Sequence, residues 1–457
     1  EIMPSLVGSE MCIRDRASSV MDIRLREGSR EQLETAFDLS MAGASINAEG
    51  PIAGGKGAFL TSTTWSFLDL IVESIGMTAV PEYNNHQVKI VYDLSPSNRI
   101  IFNALAGFDQ INIISENEVL TRGAESVDWE GEVYVVGASL QTLLGQRGYG
   151  LTTLSTVTKK SYTWVYNFGE KDYPWFTRDN IISEHTLKSD WSLKSDLGSF
   201  SVGALLRNID FSYDEWGGTD SLFLYDTAFW DGEQWTADDP PTIGVSHIQP
   251  EFNFNENETT WKMGTYGQWQ AGLGKRVQVT AGGRADYFTA TEELVMSPRV
   301  NLELFLDDET NLHMGYGKHY QYPGYYLVYR DPDDRNHDLK AKFTRQFVVG
   351  IEHFFSPDFR GSLEAFYKMY QNLPTHYYWT NPKEKHPSTL EHRTHWLNEG
   401  EARSRGFELF LQKKMTQNWH LLFSYAWSHS QAKDMRLFFI GSGSLNDKEQ
   451  RLSLIHI

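Results

Sequence analysis

The sequence holds a single cysteine, Cys12, so it has no pair from which a disulfide framework or a thiolate metal site could be built. It has no stretch near the ~20 consecutive apolar residues of a transmembrane helix, which leaves strands, apolar only at every second position, as the means of spanning a membrane. Basic charge is scarce: 41 Lys and Arg against 60 Asp and Glu give a net charge of −19. That sign excludes a nucleic-acid partner, whose phosphates demand clustered Lys and Arg. No Walker loop, HExxH, GxSxG or paired-cysteine motif occurs, so nothing points to an enzyme or a cofactor. Aromatic residues are what the chain has in excess. The 14 Trp, 22 Tyr and 26 Phe suit a membrane barrel or a carbohydrate-facing surface.

Two terminal segments stand apart from the rest. Leu6–Arg16, LVGSEMCIRDR, reads as a translated transposon-type sequencing adapter, and Leu452–Ile457, LSLIHI, as the reverse complement of the same transposon end. Glu1–Ser5 fits a primer and index in the same frame. Residues 1–16 and 452–457 are therefore expected to be adapter-derived, with the natural segment running from Ala17 to Arg451, cut at both ends and free of cysteine.

Within that segment the clearest unit is Glu401–Ser430. Phe407, Leu409 and Leu411 alternate with Glu408, Phe410 and Gln412; after a turn at Met415–Asn418, Trp419, Leu421, Phe423, Tyr425 and Trp427 fall on one face. His420, Leu422, Ser424, Ala426 and Ser428 fall on the other. Period-two alternation of this length predicts two strands. The same unit recurs as Thr35–Ile52 with Gly57–Leu70, Gln87–Leu94 with Arg99–Gln110, and Val133–Leu144 with Leu151–Tyr166. It continues as Ile182–Leu193 with Ser199–Tyr213, Thr259–Ala271 with Val277–Phe288, Ser297–Leu306 with Asn311–Tyr320, and Thr344–Phe354 with Phe359–Tyr370. Before them, Ser18–Ser29 reads as a short strand and Arg30–Glu34 as a hinge. Turns inside hairpins are short, while links between them are long: Ile71–His86, Ile111–Glu132, Asp214–Glu258, Gln321–Phe343 and Gln371–Ala402. A strict short–long alternation predicts a barrel with tight turns at one end and large loops at the other. A β-propeller would show a fixed period, and a sandwich rarely has so many long strands.

Several segments resemble TonB-dependent outer-membrane receptors. Ser18–Ser29, SSVMDIRLREGS, is similar to the end of that family's plug domain. Met41–Ile52 with Phe59–Leu70 resembles its first barrel hairpin, Ser297–Pro323 a mid-barrel hairpin, and Glu401–Ser430 a late one. The resemblance implies an all-β, transmembrane, antiparallel up-and-down β-barrel, incomplete at about sixteen of roughly 22 strands and preceded by a plug remnant. Residues 17–34 would end the plug and 35–451 form the truncated barrel. It further implies a receptor of the Gram-negative cell outer membrane, set in outer-membrane lipid, for energised uptake of a scarce nutrient. The ligand would be a small molecule, siderophore, cobalamin, glycan or peptide. The TonB complex of the inner membrane would act through the missing N-terminal part. The chain departs from the family at Thr63–Phe67, where arginines are usual. A passive porin-like channel and a secreted β-rich binding or adhesion protein are the alternatives.

Three groups of side chains are candidates for ligand contact. In the acidic stretch Asp214–Glu258, Trp216, Trp230 and Trp235 (with Phe229) sit among Asp214, Glu215, Asp220, Asp226, Asp231, Glu233, Asp238 and Asp239. This composition suits a sugar, a cation or calcium, though without EF-hand spacing, and equally a solvated outer loop. His376, His386, His392 and His395 share one loop without a recognised metal-ligand spacing. Tyr322, Tyr325 and Tyr326 belong to a cluster with Tyr316, His319, Tyr320 and Tyr329. That cluster reads either as a stacking platform or as an aromatic girdle and loop base.

Overall fold

A computed structural model describes residues 25–40, 43–68, 79–113, 126–166, 173–218, 220–225, 242–249, 251–329, 335–376, 396–433 and 453–455. The chain climbs and descends through β1 (Glu34–Leu39), β2 (Gly43–Ile52), β3 (Gly57–Ser66), β4 (Ala79–Ser95), β5 (Asn98–Ile113) and β6 (Ser126–Leu143). It continues through β7 (Gly148–Tyr166), β8 (Phe176–Ser195), β9 (Gly198–Gly217), the short pair β10 (Asp220–Tyr225) and β11 (Thr242–Gln249), then β12 (Phe252–Leu273), β13 (Val277–Phe288) and β14 (Glu293–Phe305). Then come β15 (Thr310–Gln321), helix α1 (Tyr325–Tyr329), β16 (Lys342–Ser356), β17 (Phe359–His376), β18 (Trp396–Thr416), β19 (Trp419–Lys433) and β20 (Ser453–Ile455). Apart from β10 and β11, which pair with each other, all strands join one antiparallel sheet in chain order, with β9 pairing directly to β12. Among the described residues β1 and β20 are its two edges, so the barrel-like sheet is not closed.

All eight expected hairpins form, and their registers carry the alternation across strands. On one face, Leu154, Leu187, Leu206 and Met263 stand side by side on β7, β8, β9 and β12. Leu302, Met314 and Val349 do the same on β14–β16, and Phe407 faces Trp427 while Leu409 faces Tyr425. Large apolar side chains of this face are exposed, Leu154 at 63% and Met296 at 64%. That much exposed apolar surface has no place in water and suits lipid. The opposite face is polar: Arg299, Gly317, Gln346, Lys368 and Ser404 form one cross-strand row. On the apolar face Trp65, His86, Phe108 and Tyr134 pack edge-on in a row, with ring centroids 6.5, 6.2 and 5.7 Å apart. Beside Tyr134, Lys160 pairs with Glu132 at 2.8 Å, marking where this face turns charged.

Several expectations need correction. Thr35–Ile52 is two strands, not one: the chain reverses between β1 and β2, where the Ser40 amide donates to the Gly43 carbonyl at 2.9 Å. No Pro, Asn or Asp announces that reversal. The up-and-down run therefore has seventeen strands before β20, and Glu401–Ser430 supplies its last two. Ser18–Ser29 is not a strand over its described part, Leu25–Ser29. The short–long alternation breaks twice at the loop end, between β1 and β2 and again where only residues 289–292 join β13 to β14 and Glu292 takes φ 48°. The acidic stretch is less loop-like than its composition suggests, because Asp214–Gly217 end β9 and Phe252–Glu258 begin β12. The far edge of β19 carries β20 over Ser430–Ala432.

The tight-turn end is closely tied. At the Met415–Asn418 turn, Gln417 and Asn418 have φ of 53° and 63°, the left-handed pair of a type I′ hairpin. Lys413 reaches from β18 to Asp358 in the neighbouring turn at 2.8 Å, stacks over Trp419 at 4.5 Å and bonds Thr416, which also donates to Asp358. Hydrogen bonds from Lys413, then Ser356 and Thr416, hold the Asp358 carboxyl below the usual carboxylate range. A carboxyl whose folded pKa is depressed stabilises above its unfolded pKa of about 3.9 and loses that contribution as pH falls through the folded value. Asp358→Asn should therefore lower the denaturant midpoint at pH 7 and at pH 5. The gap from the parent should shrink as pH drops below about 4. A gap that stayed constant to pH 2 would remove Asp358 as the titrating group.

Candidate functional site

Two features occupy the polar face. The first is the segment preceding β1. Leu25–Leu33 has no strand partner, yet its charges are fastened to the wall near the tight-turn end. Arg26 pairs with Glu49 of β2, whose carboxylate also accepts the Ser29 amide at 3.1 Å. Arg30 meets Asp93 of β4 at 2.7 Å and donates to the Gly55 carbonyl at 3.3 Å. Arg99 of β5 joins Asp93 at 2.6 Å and Glu27 at 2.7 Å, and Glu27 closes the loop with Arg30 at 3.2 Å. Lys89 donates to the Leu25 carbonyl at 2.6 Å. Each such pair alone is worth little at a wet surface. The closed ring Glu27–Arg30–Asp93–Arg99, which joins the segment to β4 and β5, with the separate Arg26–Glu49 pair on β2, fixes geometry better than any single member. The RLREG stretch, Arg24–Gly28, contributes Arg26 and Glu27 to this network and Arg30 follows two residues later; Glu49, Asp93 and Arg99 were missed because they are remote in the chain.

The second feature is the connection between β15 and β16, which folds onto the polar face at the loop end. Helix α1 delivers Val328 and Tyr329 into a cluster with Phe211, Tyr213 and Phe254, and the Phe211 and Tyr329 rings lie 5.8 Å apart. Tyr325 donates to Glu184 at 2.8 Å and accepts from Lys262 at 3.3 Å; Arg207 holds the other Glu184 oxygen at 3.1 Å. Burial, reinforced by Glu184 beside it, pushes the Tyr325 hydroxyl far up, so it stays a donor. Lys262 sits over the Phe288 and Tyr325 rings at 4.4 and 4.5 Å. Tyr322 shares its hydroxyl proton between the Asp286 and Glu293 carbonyls at 2.7 and 3.0 Å. His337, in a 3₁₀ turn at Arg335–Asp338, contacts the Ala290 carbonyl at 2.8 Å, and Asn398 and Lys340 exchange two hydrogen bonds. The segment is thus stitched to β8, β13, β14 and β18.

The tyrosine cluster splits by strand parity. Tyr316 and Tyr320 lie on the apolar face, against Phe347 at 5.0 Å and Phe343 at 5.3 Å. His319 is on the polar face, and Tyr322, Tyr325 and Tyr329 pack at the loop base. Tyr326, 48% exposed, is the open one. Trp216 is half-buried on the face continuous with the apolar belt, donating to Glu251 at 3.1 Å, and so is not brought together with the tyrosines. Trp230, Trp235, Phe229, Asp226, Asp231, Glu233, Asp238 and Asp239 lie outside the described residues, as do His386, His392 and His395. His376 ends β17 opposite Trp396. Among the described residues no three His, Cys, Asp or Glu side chains are placed to share a metal, and no helix is long and apolar enough to cross a membrane, which says nothing of strands.

This architecture is that of a membrane-type β-barrel with a tethered inner segment. Residues 106–454 match the family model described as TonB dependent receptor-like, beta-barrel, and the chain belongs to that family. Its members are outer-membrane proteins of Gram-negative bacteria. Solved structures agree at the level of fold. The pyoverdine outer membrane receptor FpvA from Pseudomonas aeruginosa PAO1 superposes with a TM-score of 0.64 at 14% identity, over 88% of this chain and 62% of that one. The ferric-catecholate import receptor Fiu from K12 E. coli gives 0.64 at 10% identity, over 92% and 68%. The RagAB peptide importer gives 0.57 at 12%, over 91% and 53%. The chain thus spans little more than half to two thirds of these relatives. No curated protein sequence matches it.

Proposed function

We propose that this chain is the wall and plug junction of an outer-membrane receptor that imports a scarce nutrient with energy delivered through TonB. Residues 17–34 end the plug and 35–451 belong to the barrel. Lipid covers the apolar face, and the ligand arrives at the loop end. The supporting observation is the charge ring that fastens Leu25–Leu33 to the polar face. An open channel has no use for an inner segment held by Arg26, Arg30 and Glu27 to β2, β4 and β5. A receptor does, because a lumen this wide leaks unless it is filled. FpvA binds ferripyoverdine, Fiu imports ferric catecholates and RagAB imports peptides, which supports an iron chelate or a peptide as the ligand class.

The test uses the intact protein in a Gram-negative host. It should fractionate with the outer membrane, require detergent for extraction, and leave liposomes tight to small sugars. Uptake of its ligand should stop on loss of TonB or on collapse of the proton gradient. Sugar leakage through reconstituted liposomes would favour a passive channel. Solubility without detergent would favour a secreted protein and overturn the barrel assignment.

A further inference from the structure

We propose that Arg299, His319, Gln346 and Lys368 form an anion-binding site on the lumenal wall, taking a carboxylate-type group of the imported ligand. This deepens the receptor reading above and rests on it. Arg299 of β14, Gly317 of β15, Gln346 of β16 and Lys368 of β17 are consecutive cross-strand partners, and His319, Thr344 and Tyr370 form the next row toward the loop end. With strands about 4.8 Å apart, the patch is roughly 15 Å wide. Gly317 at its centre leaves room that the His319 ring covers. A Cβ there would stand 2.5 Å from His319 Nε2, so the imidazole lies folded down over the glycine toward the Arg299–Gln346 row.

The patch is dry and under-used. Arg299 and His319 are each 4% exposed, Gln346 6% and Thr344 1%. Both ring nitrogens of His319, the Gln346 amide nitrogen and the Thr344 hydroxyl have no hydrogen-bond partner. Buried polar groups are ordinarily satisfied, and an unmade hydrogen bond in a dry site is costly. Here the unmet groups either donate only or can donate, and Arg299 and Lys368 lie within electrostatic reach of the His319 ring. Lys368 rests over Phe366 at 4.9 Å. The carboxylates nearest in effect, Glu364 and Glu408, act on Lys368 from the tight-turn side, and Glu364 is engaged by His313 at 3.3 Å. A basic, donor-rich patch in a chain of net charge −19 calls for a negatively charged oxygen ligand.

Citrate serves as a polycarboxylate probe, and maltotriose as a neutral one, in titrations of the intact receptor in detergent. Citrate should bind, and more weakly as salt rises. Lys368→Gln and His319→Leu should each weaken it roughly tenfold. A maltotriose titration should show no change between the parent and these variants. Heat-modifiable gel mobility identifies folded variants, and Gln346→Leu provides a third if either fails to fold. Absent citrate binding, or binding untouched by all three substitutions, in a protein that reaches the outer membrane overturns the anion site and leaves the receptor reading standing. A protein absent from the outer membrane overturns both.

Discussion

Val349→Lys should destabilise the barrel by about 2–4 kcal/mol, the cost of a cationic side chain at mid-depth on a lipid face. Val349 is 45% exposed and stands between Met314 of β15 and Ala365 of β17 on the apolar belt. Its backbone pairing is unaffected by the substitution, so the penalty comes from the bilayer rather than from the sheet. The measurement is urea unfolding of the protein folded into phospholipid vesicles, read by tryptophan fluorescence. Ser362→Lys on β17 is the control: Ser362 partners Glu352 and faces the opposite way, and its cost should be under about 1 kcal/mol. A larger penalty at the control position than at Val349 would mean that the faces are assigned the wrong way round, and equal penalties that neither face meets lipid.

Asp286→Ala should cost about 3–5 kcal/mol, because it removes the carboxylate from a buried ion pair and leaves the guanidinium behind. Arg284 Nε lies 2.9 and 2.7 Å from the two Asp286 oxygens, and the two side chains are only 5% and 9% exposed. Two positions apart on β13, they lie flat across Gly264 of β12, where a Cβ would stand 2.5 Å from the carboxylate. The double substitution Arg284→Met with Asp286→Leu should recover much of the loss, since an apolar pair leaves no unpaired charge. Additive single effects in that cycle would show that the two residues do not act on each other.

Much of the sheet was legible because it is written in period two. Val300, Leu302 and Leu304 announce the lipid face of β14 by their alternation alone, and they occupy it. The Gln417–Asn418 turn was readable from the polar residues between two alternating runs. What escaped depends on contacts that no local pattern encodes. Helix α1 is one turn of YYLVY inside an aromatic stretch, too short for a helical period. The reversal after Leu39 has only Gly43 to signal it, and the hairpin of β10 and β11 lay within an acidic run that looked like loop. The candidate site was the least legible part. Tyr316, His319, Tyr320, Tyr322 and Tyr325 looked like one cluster, but a change of parity sends Tyr316 and Tyr320 to the lipid side and His319 inward. Arg299, His319, Gln346 and Lys368 meet only through the registers of four strands, so no spacing rule links them.

The rim of the wall is uneven. β12 has 22 residues and its neighbour β13 has 12, and the extra length of β12 lies wholly at the loop end. At about 3.4 Å per residue that is a step of roughly 30 Å along the strand. The four-residue link between β13 and β14 keeps the edge low there, while β8 and β9, at 20 residues each, stand tall beside β12. Among the described residues the loop end is therefore a palisade over one sector and a sill over the next, so the wall offers unequal access to its polar face around the rim.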